Sequence, residues 1–158
     1  QQAKRMIFSN GRTTYNRDFF SNFTVSIFNE TVDSDLILVK SLHAGLKGHL
    51  SFEYRSAISK AFQKVFQVDL DYCNVLKASK KSISGRWAVS MQKIGNYSTK
   101  CPIPPAYYYA HGWKSNGDLV PSFLALGDYR ITGSLYYGKY RENGNNSILK
   151  CTVNVNLV

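Results

Sequence analysis

The chain has 158 residues, which bounds it to a single domain large enough to bury a core of its own. Apolar residues make up 44%, too many for a disordered chain, and no apolar run approaches a membrane span, the longest candidate being Leu36-Ile37-Leu38-Val39. With 20 Lys and Arg against 10 Asp and Glu, the net charge of +10 admits an anionic polymer, an anionic membrane surface or a merely solvated basic exterior.

The first residue is Gln1 rather than Met, which is expected of a processed or trimmed end. The dominant rhythm along the chain has period two. Thr24-Val25-Ser26-Ile27-Phe28 alternates polar and apolar, and Leu50-Ser51-Phe52-Glu53-Tyr54 does the same. Residues 66–72 put Phe66, Val68, Leu70 and Tyr72 on one face. Such alternation predicts antiparallel strands with one buried and one wet face.

Residues 74–94 break the rhythm. Ile83, Trp87, Met91 and Ile94 fall four, four and three apart, a helical stripe that Leu76 precedes. Asn74 or Asp71 is the candidate start cap, and Gly95 fits just past the end. Gly85 weakens the middle by roughly 1 kcal/mol relative to alanine. Residues 131–140 then read as a strand, and Glu142-Asn143-Gly144-Asn145-Asn146 has the turn chemistry to join it to a last strand over 148–158. In that strand Val153, Val155 and Leu157 lie opposite Thr152, Asn154 and Asn156. The expectation is one mainly β domain over 1–158, with about seven or eight antiparallel strands in two sheets and one helical segment over about 74–94.

Four N-glycosylation sequons begin at Asn22, Asn29, Asn96 and Asn145, a density that points to a secreted, extracellular glycoprotein. The three cysteines are Cys73, Cys101 and Cys151. None pairs at CxxC spacing, and His43, His49 and His111 show no partners at metal spacing, so no metal or other cofactor is expected. His111 stands ten residues from Cys101, but a nucleophile also needs an electropositive setting. A disulfide suits the secreted setting. Cys73 closes a strand and opens the helix, while Cys101 opens the tyrosine strand of KCPIPPAYYYAHGW. Their bridge would staple both ends of the helical excursion to the sheet.

Taken together, Asp71-Tyr72-Cys73-Asn74-Val75-Leu76, Cys101-Pro102 with its tyrosine-rich strand, Val120-Pro121-Ser122-Phe123-Leu124, Gly127-Asp128-Tyr129-Arg130-Ile131 and Leu149-Lys150-Cys151 form a recognisable series. In order and spacing, roughly residues 20–158 resemble the ganglioside-activator family. They resemble still more closely its insect relatives, the CheB-type family linked to contact chemosensation. Both are related to the MD-type lipid-recognition proteins. The resemblance implies a β-cup whose two sheets enclose an apolar cavity for lipid tails, and a Cys73–Cys101 bridge. It also matches Cys151 to a last-strand cysteine whose usual N-terminal partner is missing, since residues 1–72 hold no cysteine.

On that implication the inward positions Val25, Ile27, Leu36, Leu38, Phe52, Tyr54, Phe66, Val68, Ile131 and Leu135 are the candidate cavity wall, or equally a dry core. The loop around Pro121 lies at the cavity entrance in the ganglioside-activator family. Here it makes Leu119, Val120, Phe123 and Leu124 candidates for a membrane-touching mouth or for a lid on the core. Trp113 and Trp87 are candidates for its rim. Lys77, Lys80, Lys81 and Lys114 are the basic groups expected to draw in anionic headgroups.

The expected function is a secreted, non-enzymatic carrier that presents a lipid or long-chain apolar ligand, glycolipid-like or pheromone-like, to a receptor, membrane or enzyme. The alternative is a basic protein binding nucleic acid, sulfated glycan or a receptor through its charge. For this the run Tyr136-Tyr137-Gly138-Lys139-Tyr140-Arg141 would offer a stacking platform. A hydrolase is not expected. There is no nucleophile elbow, phosphate loop or zinc motif, and Asp69 and Asp71, which share a face, suit the polar side of a strand as well as a metal.

Overall fold

The computed structural model describes residues 4–77, 82–143 and 146–158. In chain order the elements are β1 (Met6–Tyr15), β2 (Phe20–Phe28), β3 (Thr31–Leu38), β4 (Leu46–Arg55), β5 (Gln63–Asp71), α1 (Tyr72–Leu76), α2 (Ile83–Gln92), β6 (Ala106–Trp113), β7 (Gly127–Tyr137) and β8 (Ser147–Leu157). The strands form two antiparallel sheets, one ordered β1-β8-β7-β4-β5 and the other β2-β3-β6. The expected class, mainly β with two sheets and a helical insert, is the class observed.

The alternation sets the register. On β7, Tyr129, Ile131 and Leu135 face inward while Arg130, Thr132 and Ser134 face out, and each meets its like on β4 and β8. The β2–β3 turn uses Asn29 at φ 58, a left-handed conformation that asparagine tolerates better than most residues.

Along one seam the sheets lie together, with β1 beside β2 and Thr13 Oγ1 donating to the Phe23 carbonyl at 2.8 Å. On the opposite side α1 and α2 span the gap between the β5 and β6 edges. Cys73 of α1 is bonded to Cys101, ahead of β6, with their Cα atoms 5.7 Å apart. The staple read from the sequence is therefore present.

The single helix expected over 74–94 is two short ones. Asp71 caps the first, accepting from the Asn74 amide, so the cap is Asp71 and Asn74 lies inside the helix. Ser82 restarts the chain as a second cap, accepting from the Gly85 amide at 3.1 Å. Gly85 is thus buried in the first turn of α2 rather than interrupting a longer helix. Gly95 is not a helix terminator. It pairs with Ala110 of β6, where an added Cβ would lie 1.8 Å from the Tyr109 carbonyl oxygen.

Burial divides the interior in two. One cluster packs Met6, Phe8, Phe52, Trp113, Val120, Leu124, Tyr129, Ile131, Val155 and Leu157. The other packs Phe20, Phe23, Leu36, Leu38, Leu42, Leu46, Leu76, Ile103, Tyr108 and Ile148.

Candidate functional site

A cavity of about 370 Å³ lies in the interior, with wall residues from both packed clusters, and it is lined by both sheets and by both helices. Its origin is visible in the strands. The inward positions of β4 run Leu46, Gly48, Leu50, Phe52, and those of β7 run Ile131, Gly133, Leu135. Gly48 and Gly133 put no side chain where their neighbours put four carbons. A Cβ added at Gly133 would meet nothing closer than Leu50 Cδ1 at 3.8 Å. Ala88, Ala110, Ser34, Ser84 and Cys151 add further small side chains to the wall.

Electrostatically the wall is close to hydrocarbon. Among the described residues that line it there is no Asp, Glu, Lys or Arg. Burial pushes the Tyr72 hydroxyl up to about 12 and the Cys151 thiol up to about 11. It also raises Tyr97, against which the bond to Ser34 works in the other direction. Most wall polar groups are consumed locally. Ser34 Oγ and Tyr97 Oη are 2.8 Å apart. Trp113 Nε1 donates to Ser90 Oγ at 2.7 Å, Trp87 Nε1 to the Leu119 carbonyl at 2.6 Å, and Tyr108 Oη to the Pro104 carbonyl at 2.6 Å. Such a surface suits a molecule with few polar atoms.

Of the ten inward residues read from the strands, Val25, Leu36, Leu38, Ile131 and Leu135 line the cavity. The other five do not. Phe52 is fully buried in the first cluster, edge-on to Phe66 at 5.7 Å. Ile27, Tyr54 and Phe66 pack against that cluster, Tyr54 on Tyr129 at 5.0 Å. Val68 is half-buried opposite Leu50. Alternation names the inward face of a strand, but not whether atoms or space stand opposite. The helices contribute Tyr72, Val75, Leu76, Trp87 and Met91, of which the strand pattern reached only Tyr72, at the end of the alternating run 66–72. The glycines at inward positions were the available signal for the hollow.

The loop around Pro121 is mostly a lid. Val120 and Leu124 are buried in the first cluster and Leu119 is half-buried, so only Phe123 of the four expected there is exposed, at 62%. Leu126, at 56%, joins it. Lys4 Nζ ties the loop down by donating to the Ser122 and Leu124 carbonyls at 3.3 and 2.9 Å. The Phe123 ring lies 5.1 Å from Phe66 of β5, and in the β4–β5 loop Ile58 is 96% exposed. Trp113 is not at a rim. It is buried between Phe8 and Trp87, each at 5.6 Å, and both tryptophans are cavity wall. Lys77 and Lys114 are exposed, while Lys80 and Lys81 lie outside the described residues.

Among the sequons, Asn29 is exposed at its turn and Asn22 is half-buried on β2. Asn96 is exposed, with its amide donating to the Tyr107 carbonyl and accepting from the Tyr109 amide. Asn145 lies outside the described residues.

The other sequence candidates have structural partners. Asp69, on the outer face of β5, accepts from Tyr136 Oη at 3.0 Å and pairs with His49 Nδ1 at 2.8 Å, and these bonds hold its carboxyl below the usual range. Asp71 is the α1 cap. His111 pairs with Asp35 at 2.8 Å. The Tyr136–Arg141 run is no open platform. Tyr136 is buried, Gly138 turns the chain at φ 82, and the Tyr140 ring stacks on His49 at 3.6 Å. Among the described residues no three His, Cys, Asp or Glu side chains come together as a metal site. No helix there is long and apolar enough to cross a membrane.

A family model described as a protein of unknown function, DUF1091, matches residues 48–131, more than half of the chain, and the chain belongs to that family. No curated protein matches it. The matched segment runs from the first cavity glycine through both helices and the disulfide to Ile131 on the wall.

Proposed function

We propose that this member of the DUF1091 family is a secreted, non-enzymatic carrier. It holds a lipid or other long-chain apolar molecule between its sheets and passes it to a membrane, receptor or enzyme. The observation that carries the reading is the apolar cavity of about 370 Å³, walled without a single carboxylate, ammonium or guanidinium among its described residues. A well-packed interior has few voids larger than a water molecule, so a hollow this size argues for a guest. The likeness to ganglioside-activator and CheB-type proteins belongs to this proposal, as does secretion, which the disulfide and the sequons favour. The exposed Phe123, Leu126 and Ile58, on a protein of net charge +10, suit transfer at an anionic membrane surface.

The test is mass spectrometry of the purified protein under native and then denaturing conditions. A carrier shows added masses in the lipid range that leave on denaturation, or acquires them after incubation with mixed lipids. A chain that stays at its own mass through both treatments is not a carrier.

A further inference from the structure

Three tyrosines stand on the described wall of the cavity, and their hydroxyls differ. Tyr108 Oη donates to the Pro104 carbonyl, and Tyr97 Oη lies 2.8 Å from Ser34 Oγ. The Tyr72 hydroxyl has no hydrogen-bond partner among the described residues. Nor is it sealed in packing. The unpartnered side-chain polar atoms fully enclosed there are His49 Nε2, Gln92 Nε2 and Asn146 Oδ1, whereas Tyr72 is half-buried and keeps its Oη open. Tyr72 begins α1, where β5 ends, and packs with Tyr97 against the second cluster, so its hydroxyl opens onto the hollow. Burial alone pushes it up to about 12, which a phenol facing bulk water would not show.

A hydrocarbon guest strands that hydroxyl. Filling the hollow displaces water from the wall, and a hydroxyl left unpaired in apolar surroundings is costly. A guest with an oxygen at that point receives the Tyr72 hydrogen instead. The Tyr97–Ser34 pair adds a second donor, because two hydroxyls that share one hydrogen bond leave one hydrogen unused. We infer that the carried molecule is a long-chain compound bearing a carbonyl or hydroxyl oxygen, and that Tyr72 Oη donates a hydrogen bond to this oxygen inside the cavity. The inference rests on the carrier reading and narrows it from any apolar guest to an oxygenated one.

The experiment is a binding cycle joined to infrared spectroscopy. Dodecane and 2-dodecanone each displace a naphthylamine fluorophore from wild type and from two variants. Tyr72→Phe removes the open hydroxyl, and Tyr108→Phe removes a wall hydroxyl already bonded within the protein. Tyr72→Phe is expected to bind the ketone about three- to tenfold more weakly and dodecane equally or more tightly. Tyr108→Phe is expected to leave the ketone-to-dodecane ratio unchanged. In wild type, the carbonyl stretch of 2-dodecanone isotope-labelled at its carbonyl should fall below its position in dodecane solution. A ratio unchanged by Tyr72→Phe, or lowered as much by Tyr108→Phe, overturns the Tyr72 assignment and leaves the carrier intact. So does a carbonyl stretch at its dodecane-solution position, a readout that needs no variant and stands even if Tyr72→Phe misfolds. Failure of both compounds to displace the fluorophore from wild type overturns the carrier reading and this inference together.

Discussion

Gly48 and Gly133 stand at inward positions on two adjacent interior strands of the larger sheet, where the flanking inward positions on the same strands are leucine or isoleucine. Glycine there costs strand propensity and packing, so a purely structural sheet has no use for it. Gly133→Leu should therefore be tolerated or mildly stabilising by thermal melting, since nothing lies within 3.8 Å of the new Cβ. It should also weaken binding of a twelve-carbon probe at least about tenfold, because several carbons of cavity length are replaced by protein at ~0.8 kcal/mol per methylene. Probe affinity equal to wild type would mean that the ligand lies elsewhere. The period-two pattern put Val25, Leu36, Leu38, Ile131 and Leu135 on inward faces, and these five line the cavity. It could not separate them from Phe52 or Phe66, which face the same way but meet solid packing. Direction is local to a strand, whereas free volume depends on what the opposite layer brings.

At the scale of elements, the helical insert is held at both ends. Asp71 and Cys73 fix its start, and Cys101 ties its return to the smaller sheet. Closing a loop with a sequence separation of 28 residues restricts the unfolded chain by roughly 3–4 kcal/mol. A Cys73→Ser, Cys101→Ser double variant should lose about that much unfolding free energy in urea. Wild type in reducing buffer should fall to the same midpoint. The bridge was legible because cysteines that flank an excursion in a chain with several sequons have few other uses. The division of the helix was not. Ser82 restarts the chain as a cap, yet a serine inside a periodic stripe looks no different from a surface residue until its neighbours' amides are placed. Gly95 shows the same limit, since what its missing Cβ avoids is the backbone of β6 rather than anything nearby in sequence.

For the whole molecule, two apolar features point different ways, an internal hollow and an exposed tip. If the tip docks on membranes, Phe123→Asp should reduce co-sedimentation with anionic vesicles by about tenfold, the worth of one buried aromatic ring. Displacement of the cavity fluorophore should stay unchanged. Binding to vesicles that persists at high ionic strength would favour ring insertion, while a steep collapse with salt would return weight to the surface charge. Equal sedimentation of variant and wild type would remove the tip from the mechanism.

The sequence by itself determined the class of fold, the faces of most strands, the staple and the basic balance, because each rests on local spacing or on counting. Tertiary structure alone decided that the interior is hollow and that Val120, Leu124 and Trp113 are buried rather than displayed. Those properties belong to the space between two sheets. That space is set by residues such as Gly48 and Gly133 on one sheet and Ser34 and Ala110 on the other, which lie far apart in the chain and acquire meaning only once the sheets face each other.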